Sequence, residues 1–303
     1  MTYSQYGDPD TLELTEEPSP KVAPGAVLIR VERASVNPVD WKLMSGGLDG
    51  LLDVFFPVIP GWDVAGVVEE VGPDVPEFAP GDRVAAYARK DFVHGGTYAE
   101  YVSLRASDVA RLPEGVEFDA AAAVPLAGLT AMRSIEALGL TDQDTLLIHA
   151  ASGGVGHFAA QLAAETGATV IGTASEKNHG KLRDLGVTPV AYGEGLVDRV
   201  REAAPSGVTA VADFAGGVME QTLELLPDAR RQVSVTDFDV LEHGGRIIWV
   251  RPDAQRLEAL LDRVAEGRLT VDIDTVFPLE QAADAMKHNA AGSNGKVIID
   301  TTR

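Results

Sequence analysis

The chain has 303 residues, 45% of them hydrophobic, and its 46 acidic residues against 25 basic ones give a formal charge of −21. The length suits about two domains, and the acid excess disfavours nucleic acid and anionic membrane surfaces, both of which draw on Lys and Arg. With no cysteine, disulfides and thiolate metal sites are excluded. No run approaches the roughly 20 apolar residues of a membrane span, and no charged segment followed by an apolar one opens the chain. The expectation is a soluble cytoplasmic protein with a solubilising acidic surface and neither nucleic-acid nor membrane partners.

Up to about residue 116 the chain is strand-like and punctuated by Gly and Pro. Val27–Val31, Val64–Val71, Arg83–Tyr87 and Thr97–Val102 read as short strands separated by turns, which predicts a compact β-barrel-like domain. Beyond it, alanine-rich helical segments alternate with six candidate strands: Leu146–His149, Thr169–Thr173, Pro189–Ala191, Ala210–Asp213, Gln232–Val235 and Arg246–Val250. That alternation predicts a parallel, doubly wound sheet of the dinucleotide-binding kind. A helix over Leu257–Glu266, a strand over Thr270–Val276, a helix from Leu279 to about Asn289 and a strand over Lys296–Asp300 complete the chain.

The most informative segment runs from Leu146-Leu147-Ile148-His149 into Ala150-Ala151-Ser152-Gly153-Gly154-Val155-Gly156. A strand enters a turn of small residues, Ala151-x-Gly153-x-x-Gly156, and leaves as a helix. Small residues let the backbone approach a pyrophosphate, and the N–H groups at the helix start bind its charge. A glycine pattern alone is weak; the strand before it and the helix and strand after it make it specific. The second strand selects the cofactor. An enzyme using NAD usually ends it in Asp or Glu for the ribose 2′-hydroxyl. Here it ends Thr173-Ala174-Ser175-Glu176-Lys177-Asn178. Ser175 and Lys177 can hold a 2′-phosphate by hydrogen bond and charge, so the cofactor expected is NADPH.

The sequence resembles the medium-chain dehydrogenase/reductase superfamily, and within it the zinc-free quinone oxidoreductase-like branch. The resemblance covers nearly the whole chain. Its markers, besides the glycine turn, are Ser35-Val36-Asn37-Pro38-Val39-Asp40-Trp41-Lys42, Pro60-Gly61-Trp62-Asp63-Val64-Ala65-Gly66, Gly81-Asp82-Arg83-Val84, Gly96-Thr97-Tyr98-Ala99-Glu100-Tyr101 and Pro125-Leu126-Ala127-Gly128-Leu129-Thr130-Ala131. It implies an α/β protein: a GroES-like β-barrel domain over residues 1–116 and 268–303, and a Rossmann domain with a doubly wound six-stranded parallel sheet over 117–267. The active site is then expected in the cleft between them, in a homodimer. Zinc-dependent relatives use Cys and a Gly-His-Glu segment as ligands. Asn37 stands at the Cys position and Trp62-Asp63 replaces the His-Glu pair, so no metal is expected, since zinc needs His or Cys donors brought together.

Without a Lewis acid, a quinone or α,β-unsaturated carbonyl is a better hydride acceptor than a simple ketone, because the resulting anion is delocalised. The resemblance places Asn37 and Lys42 at the nicotinamide and substrate, Asn37 as a hydrogen-bond donor and Lys42 stabilising an enolate or else a solvated loop residue. Asp40 orients a neighbour or caps a helix over Trp41–Met44. Trp41, Trp62 and Trp249 are candidates for the substrate cleft, Trp62 equally for a core aromatic. Thr130 resembles a position near the nicotinamide. Phe214, Ala215 and Gly216 follow the fourth strand, Tyr192 the third, and Trp249, Val250 and Arg251 end the sixth, all at carboxyl ends where ligands bind. Asn294-Gly295-Lys296 leads into the last strand, beside the cofactor, and Lys296 is expected to close the cleft. The leading expectation is an NADPH-dependent reductase of quinones or enones. A reductase of enoyl thioesters or a biosynthetic intermediate, and a non-enzymatic NADPH-binding redox sensor, stand as alternatives.

Overall fold

The computed structural model describes residues 1–302. In chain order the N-terminal part holds β1 (Ala26–Val36), α1 (Pro38–Met44), β2 (Asp53–Ile59), β3 (Asp63–Val71), β4 (Arg83–Tyr87), β5 (Phe92–Gly95), β6 (Tyr101–Arg105), β7 (Val109–Arg111), α2 (Phe118–Ala123) and α3 (Pro125–Leu138). The middle follows as β8 (Thr145–His149), α4 (Gly154–Ala164), β9 (Thr169–Ala174), α5 (His179–Asp184), β10 (Thr188–Ala191), α6 (Leu196–Ala203), β11 (Ala210–Asp213), α7 (Met219–Leu225), β12 (Gln232–Ser234) and β13 (Arg246–Ile247). The chain closes with α8 (Ala254–Ala265), β14 (Ile273–Pro278), α9 (Ala282–Ala290) and β15 (Lys296–Asp300).

Contacts divide the chain into two compact units, Met1–Leu129 with Arg251–Arg303, and Thr130–Val250. The sequence reading set these limits at residues 116 and 268. The first unit is longer because α2 packs on β1 and β3 and α8 on β7, so both helices belong to its core.

The first unit is built on a seven-stranded sheet in the order β14-β15-β1-β3-β4-β7, with β6 also paired to β1. Apart from the parallel β14–β15 pair its pairings are antiparallel. Its centre is a valine-rich cluster including Val27, Ile29, Val31, Val64, Val68 and Val84. Strand β1 is long enough to pair with β15, β3 and β6, and shifts register against β3 at two points, as strand bulges allow. Strands β2 and β5 form a separate parallel ribbon. The expected strand from Thr97 begins only at Tyr101. Thr97 and Tyr98 instead turn their N–H groups onto the carbonyls of Pro60 and Gly61.

The second unit is a six-stranded sheet in the order β10-β9-β8-β11-β12-β13, parallel throughout. Its central strand carries Leu146, Leu147 and Ile148, all fully buried, as a strand covered on both faces requires. The sixth strand ends at Ile247 and not at Val250; only Arg246 and Ile247 pair with β12, so Trp249, Val250 and Arg251 lie beyond the sheet. Helix α4 buries Phe158, Ala159, Leu162 and Ala163, the face its sequence spacing predicts. No helix among the described residues is long and apolar enough to cross a membrane.

Candidate functional site

In the second unit, β8 delivers the chain into the small-residue turn. Ala150 takes a positive φ of 56°, and its N–H donates to Thr173 Oγ1 at 3.0 Å, while Ala151 N–H donates to the Thr173 carbonyl. Thr173 thus braces the turn from a buried position. Gly153 caps α4 and Gly154, Val155 and Gly156 form its first turn, whose N–H groups have no partner four residues back in the helix. A Cβ at Gly156 would lie 2.2 Å from the Ala150 carbonyl oxygen, so only glycine lets the helix start this close to the strand end. Ser152 Oγ accepts from Asn178 Nδ2 at 3.2 Å, which ties the glycine turn to the segment after β9. Ser175 is half-buried and Lys177 exposed beside it. This cradle fits a dinucleotide: a helix N-terminus with a small-residue approach, and a hydroxyl and an ammonium in the segment after β9.

Other expected cofactor residues fall at the same end of the sheet strands. Ala215 and Gly216 follow β11, but their N–H groups both donate to Asp213 Oδ1 at 2.9 Å, so the Asp213 carboxylate sets that turn. Phe214 is half-buried, Tyr192 is exposed after β10 and Thr130 is buried on α3. His149, at the end of β8, is buried, with Thr222 Oγ1 3.4 Å from its Nε2. Desolvation pushes its pKa down to about 4, partly offset by Asp213.

The first unit holds a buried polar cluster. Asn37, the N-cap of α1, is 2% exposed. Its Nδ2 donates to Asp63 Oδ2 at 2.8 Å and its Oδ1 accepts from Lys296 Nζ at 2.6 Å. Asp63 Oδ2 also accepts from Ser35 Oγ at 2.7 Å, and Asp63 Oδ1 accepts from the Leu126 N–H at 2.8 Å. Leu126 lies in the first turn of α3, where the helix dipole favours a carboxylate. Lys296 Nζ is 3.7 Å from Asp63 Oδ2. Asp40, 1% exposed, is the third residue of α1; it caps the helix start as the reciprocal member of a capping box, while the N-cap residue itself is Asn37. The helix starts at Pro38, because proline is well suited to a first helical position. Asp40 Oδ2 accepts from the Asn37 N–H at 2.8 Å and from the Tyr98 hydroxyl at 3.0 Å; its Oδ1 is buried with no partner. Tyr98 reaches it because Gly61, at φ 94°, has no Cβ; one there would fall 2.4 Å from the ring.

Two carboxyls therefore share one ammonium out of water. Burial pushes Asp40 up to about 7 and Asp63's charge adds to this, against the pull of the Asn37 N–H, Tyr98 and Lys296. Burial also raises Asp63, opposed first by Lys296, and lowers Lys296. Burial thus works against full ionisation of both carboxyls, and the Lys296 ammonium works for it.

The structure brings Asn37, Asp40 and Lys296 together and leaves Lys42 out. Lys42 is exposed, its ammonium 5.6 Å from the Trp41 ring centre, and Asn37 is met by Asp63, Asp40 and Lys296 instead. Lys296 does not stand at a surface to close a cleft; it is buried at the head of β15, and Asn294 is half-buried in the preceding loop. Trp41 donates to Asn289 Oδ1 at 3.1 Å. Trp62 is buried edge-to-face on Tyr87 and lines a narrow cavity of about 10 Å³ with Asp40, Leu43, Lys90, Phe92 and His94. Trp249 is half-buried beyond β13. The sequence reading did not single out Ser35 and Tyr98, and treated Asp63 only as a replaced ligand. The signal was present: a carboxylate heading the apolar run Val64-Ala65-Gly66-Val67-Val68 must be buried and therefore paired.

The donor set does not fit zinc. Asn37 and Trp62 offer no thiolate or imidazole, both oxygens of Asp63 are engaged by N–H and O–H donors, and no group of three or more His, Cys, Asp or Glu among the described residues is placed to hold a metal.

The alcohol dehydrogenase GroES-like domain pattern matches residues 23–114 and the zinc-binding dehydrogenase pattern residues 185–299. The chain is 32% identical to a chloroplast envelope quinone oxidoreductase homolog of Arabidopsis thaliana, over 99% of this chain and 97% of that one. It is 30% identical to the quinone oxidoreductase of Sus scrofa, over 97% and 95%. The quinone oxidoreductase structure from Coxiella burnetii superposes with a TM-score of 0.89 at 33% identity, covering 99% and 98%. A mycobacterial protein complexed with NADPH superposes at 0.84 and 28% identity, covering 98% of each chain. The chain is an oxidoreductase that belongs to the medium-chain dehydrogenase/reductase superfamily, in its quinone oxidoreductase-like branch.

Proposed function

We propose that the protein is an NADPH-dependent reductase of quinones or α,β-unsaturated carbonyl compounds that works without zinc. When bound, the nicotinamide supplies a hydride, that is, one proton's worth of hydrogen with two electrons. The chain supplies the rest. Gly153–Gly156 at the start of α4 bind the pyrophosphate, and Ser175 and Lys177 take the 2′-phosphate that separates NADPH from NADH. Asn37, locked by Asp63 and Lys296, presents one remaining amide hydrogen in a fixed direction toward the reacting groups. The carrying observation is that lock: the positions of metal donors are taken by a hydrogen-bonded Asn37–Asp63–Lys296 cluster, which leaves activation to the acceptor's own conjugation.

The mycobacterial relative complexed with NADPH supports the cofactor choice, and the quinone oxidoreductase names of the relatives support the acceptor class. The test follows nicotinamide absorbance with 1,4-benzoquinone, 2-alkenals and an enoyl thioester, with NADH and a chelator as controls. Chelator-insensitive turnover of a quinone or alkenal, faster with NADPH, is expected. Activity confined to the thioester, or abolished by the chelator, would overturn this reading.

A further inference from the structure

Reduction of a conjugated carbonyl leaves an anion that must take up a proton, and the buried cluster contains a group that the hydride step does not use. Asp40 Oδ2 already accepts from two donors, the Asn37 N–H and the Tyr98 hydroxyl. A proton on this carboxyl therefore resides on Oδ1, the buried oxygen with no partner. Asp40 also lines the cavity of about 10 Å³. That volume is close to the minimum for one water and far too small for an acceptor. The same cavity is lined by the half-buried Lys90 and the exposed His94.

We propose that Asp40 is the source of the proton for the reduced acceptor, handed over through one water held in this cavity. The inference rests on the reductase reading above. In the step, the enolate α-carbon, or the hydroquinone oxygen, forms a bond to a hydrogen of the water. That water takes the hydrogen of Asp40 Oδ1 as its own O–H bond breaks. The anion is neutralised, Asp40 is left as a carboxylate, and solvent returns the proton past His94 and Lys90. No electron moves in this step; the two electrons arrived with the hydride. The charged neighbours suit the role. Asp63 favours the protonated form of Asp40, whereas Lys296 and the Tyr98 hydroxyl favour its return to carboxylate. Tyr3 and Tyr87, whose hydroxyls also sense Asp40, are held neutral by burial. Lys90 is lowered by its own desolvation. Burial thus sets Asp40 at about 7, close to the operating pH that an efficient proton donor needs.

The test uses the whole protein in three forms, wild type, Asp40→Asn and Tyr98→Phe. In the cofactor-free protein, infrared difference spectra against Asp40→Asn should show a protonated carboxyl band that disappears as pH rises through about 7. During turnover with NADPH and 1,4-benzoquinone or 2-methylcyclohex-2-enone, wild-type kcat should fall above that pH. Asp40→Asn should lose this limb and about 100-fold in kcat. Tyr98→Phe, which keeps the carboxyl and removes one donor to its charged form, should move the limb to higher pH. With the enone in deuterated water, wild type should place deuterium on one face of the α-carbon, and Asp40→Asn should lose that preference while keeping the face of hydride addition. An Asp40 already ionised at pH 5, or an Asp40→Asn enzyme that keeps the limb or the facial preference, would overturn the inference alone. Absence of NADPH oxidation with every acceptor would overturn the reductase reading, and this inference with it.

Discussion

Lys296 Nζ lies 2.6 Å from Asn37 Oδ1 and 3.7 Å from Asp63 Oδ2, so one buried ammonium at the head of the last strand both fixes the Asn37 amide and neutralises the carboxylate beside it. The pair is out of water on every side, and its worth lies in what happens when one member is removed. A buried ion pair roughly offsets its own desolvation, but a lone buried charge does not.

Lys296→Met should therefore destabilise the protein by about 3–5 kcal/mol, read as a lower urea midpoint with unchanged slope. Adding Asp63→Asn to Lys296→Met removes the stranded charge and should recover most of the loss. A double variant no more stable than Lys296→Met would show that the two residues do not act as a pair.

Gly156→Ala should cost at least about tenfold in NADPH affinity, since its Cβ would sit 2.2 Å from a backbone oxygen and the turn must open to relieve it. The nearest atom to a Cβ at Gly153 is the same oxygen at 3.3 Å, so Gly153→Ala should cost less. Titration of NADPH fluorescence on each variant checks the order.

Lys177→Ala should lower kcat/KM for NADPH by about tenfold, the range of one partly solvated charge-assisted hydrogen bond, and leave kcat/KM for NADH nearly unchanged. Equal losses with both cofactors would mean that the lysine does not meet the 2′-phosphate.

His149 and Asp40 should bend the pH dependence of stability in opposite directions. His149 titrates near 4 in the folded chain and near 6.5 when unfolded. Between these values the unfolded state binds more protons, so stability falls as pH drops from about 6.5 to 4. Asp40 titrates near 7 folded and near 3.9 unfolded; there the folded state holds the proton, and stability rises as pH drops through the same range. Urea midpoints at pH 7 and 5 should show His149→Gln less weakened by acid than wild type, and Asp40→Asn more weakened.

Local sequence determined the elements and the cofactor turn. The run Leu146-Leu147-Ile148 and the small residues through Gly156 specify a buried strand, a tight turn and a helix start over a dozen neighbouring residues, where sterics and periodicity act directly. Strands β8 and β11 and the last strand fall within one residue of where the alternation of apolar runs and turns predicts them. The tertiary structure decided the buried cluster. Asn37 and Lys296 are 259 positions apart, and no periodicity says that strand β15 runs beside β1 and brings its first side chain onto the start of α1. It also shows what some polar side chains support: Thr173 and Asp213 accept from backbone N–H groups of the turns that follow β8 and β11. The physical reason is the same in each case. Burial drives most polar atoms to find a partner, and the partner is chosen by the packing of distant segments, which a linear pattern does not contain.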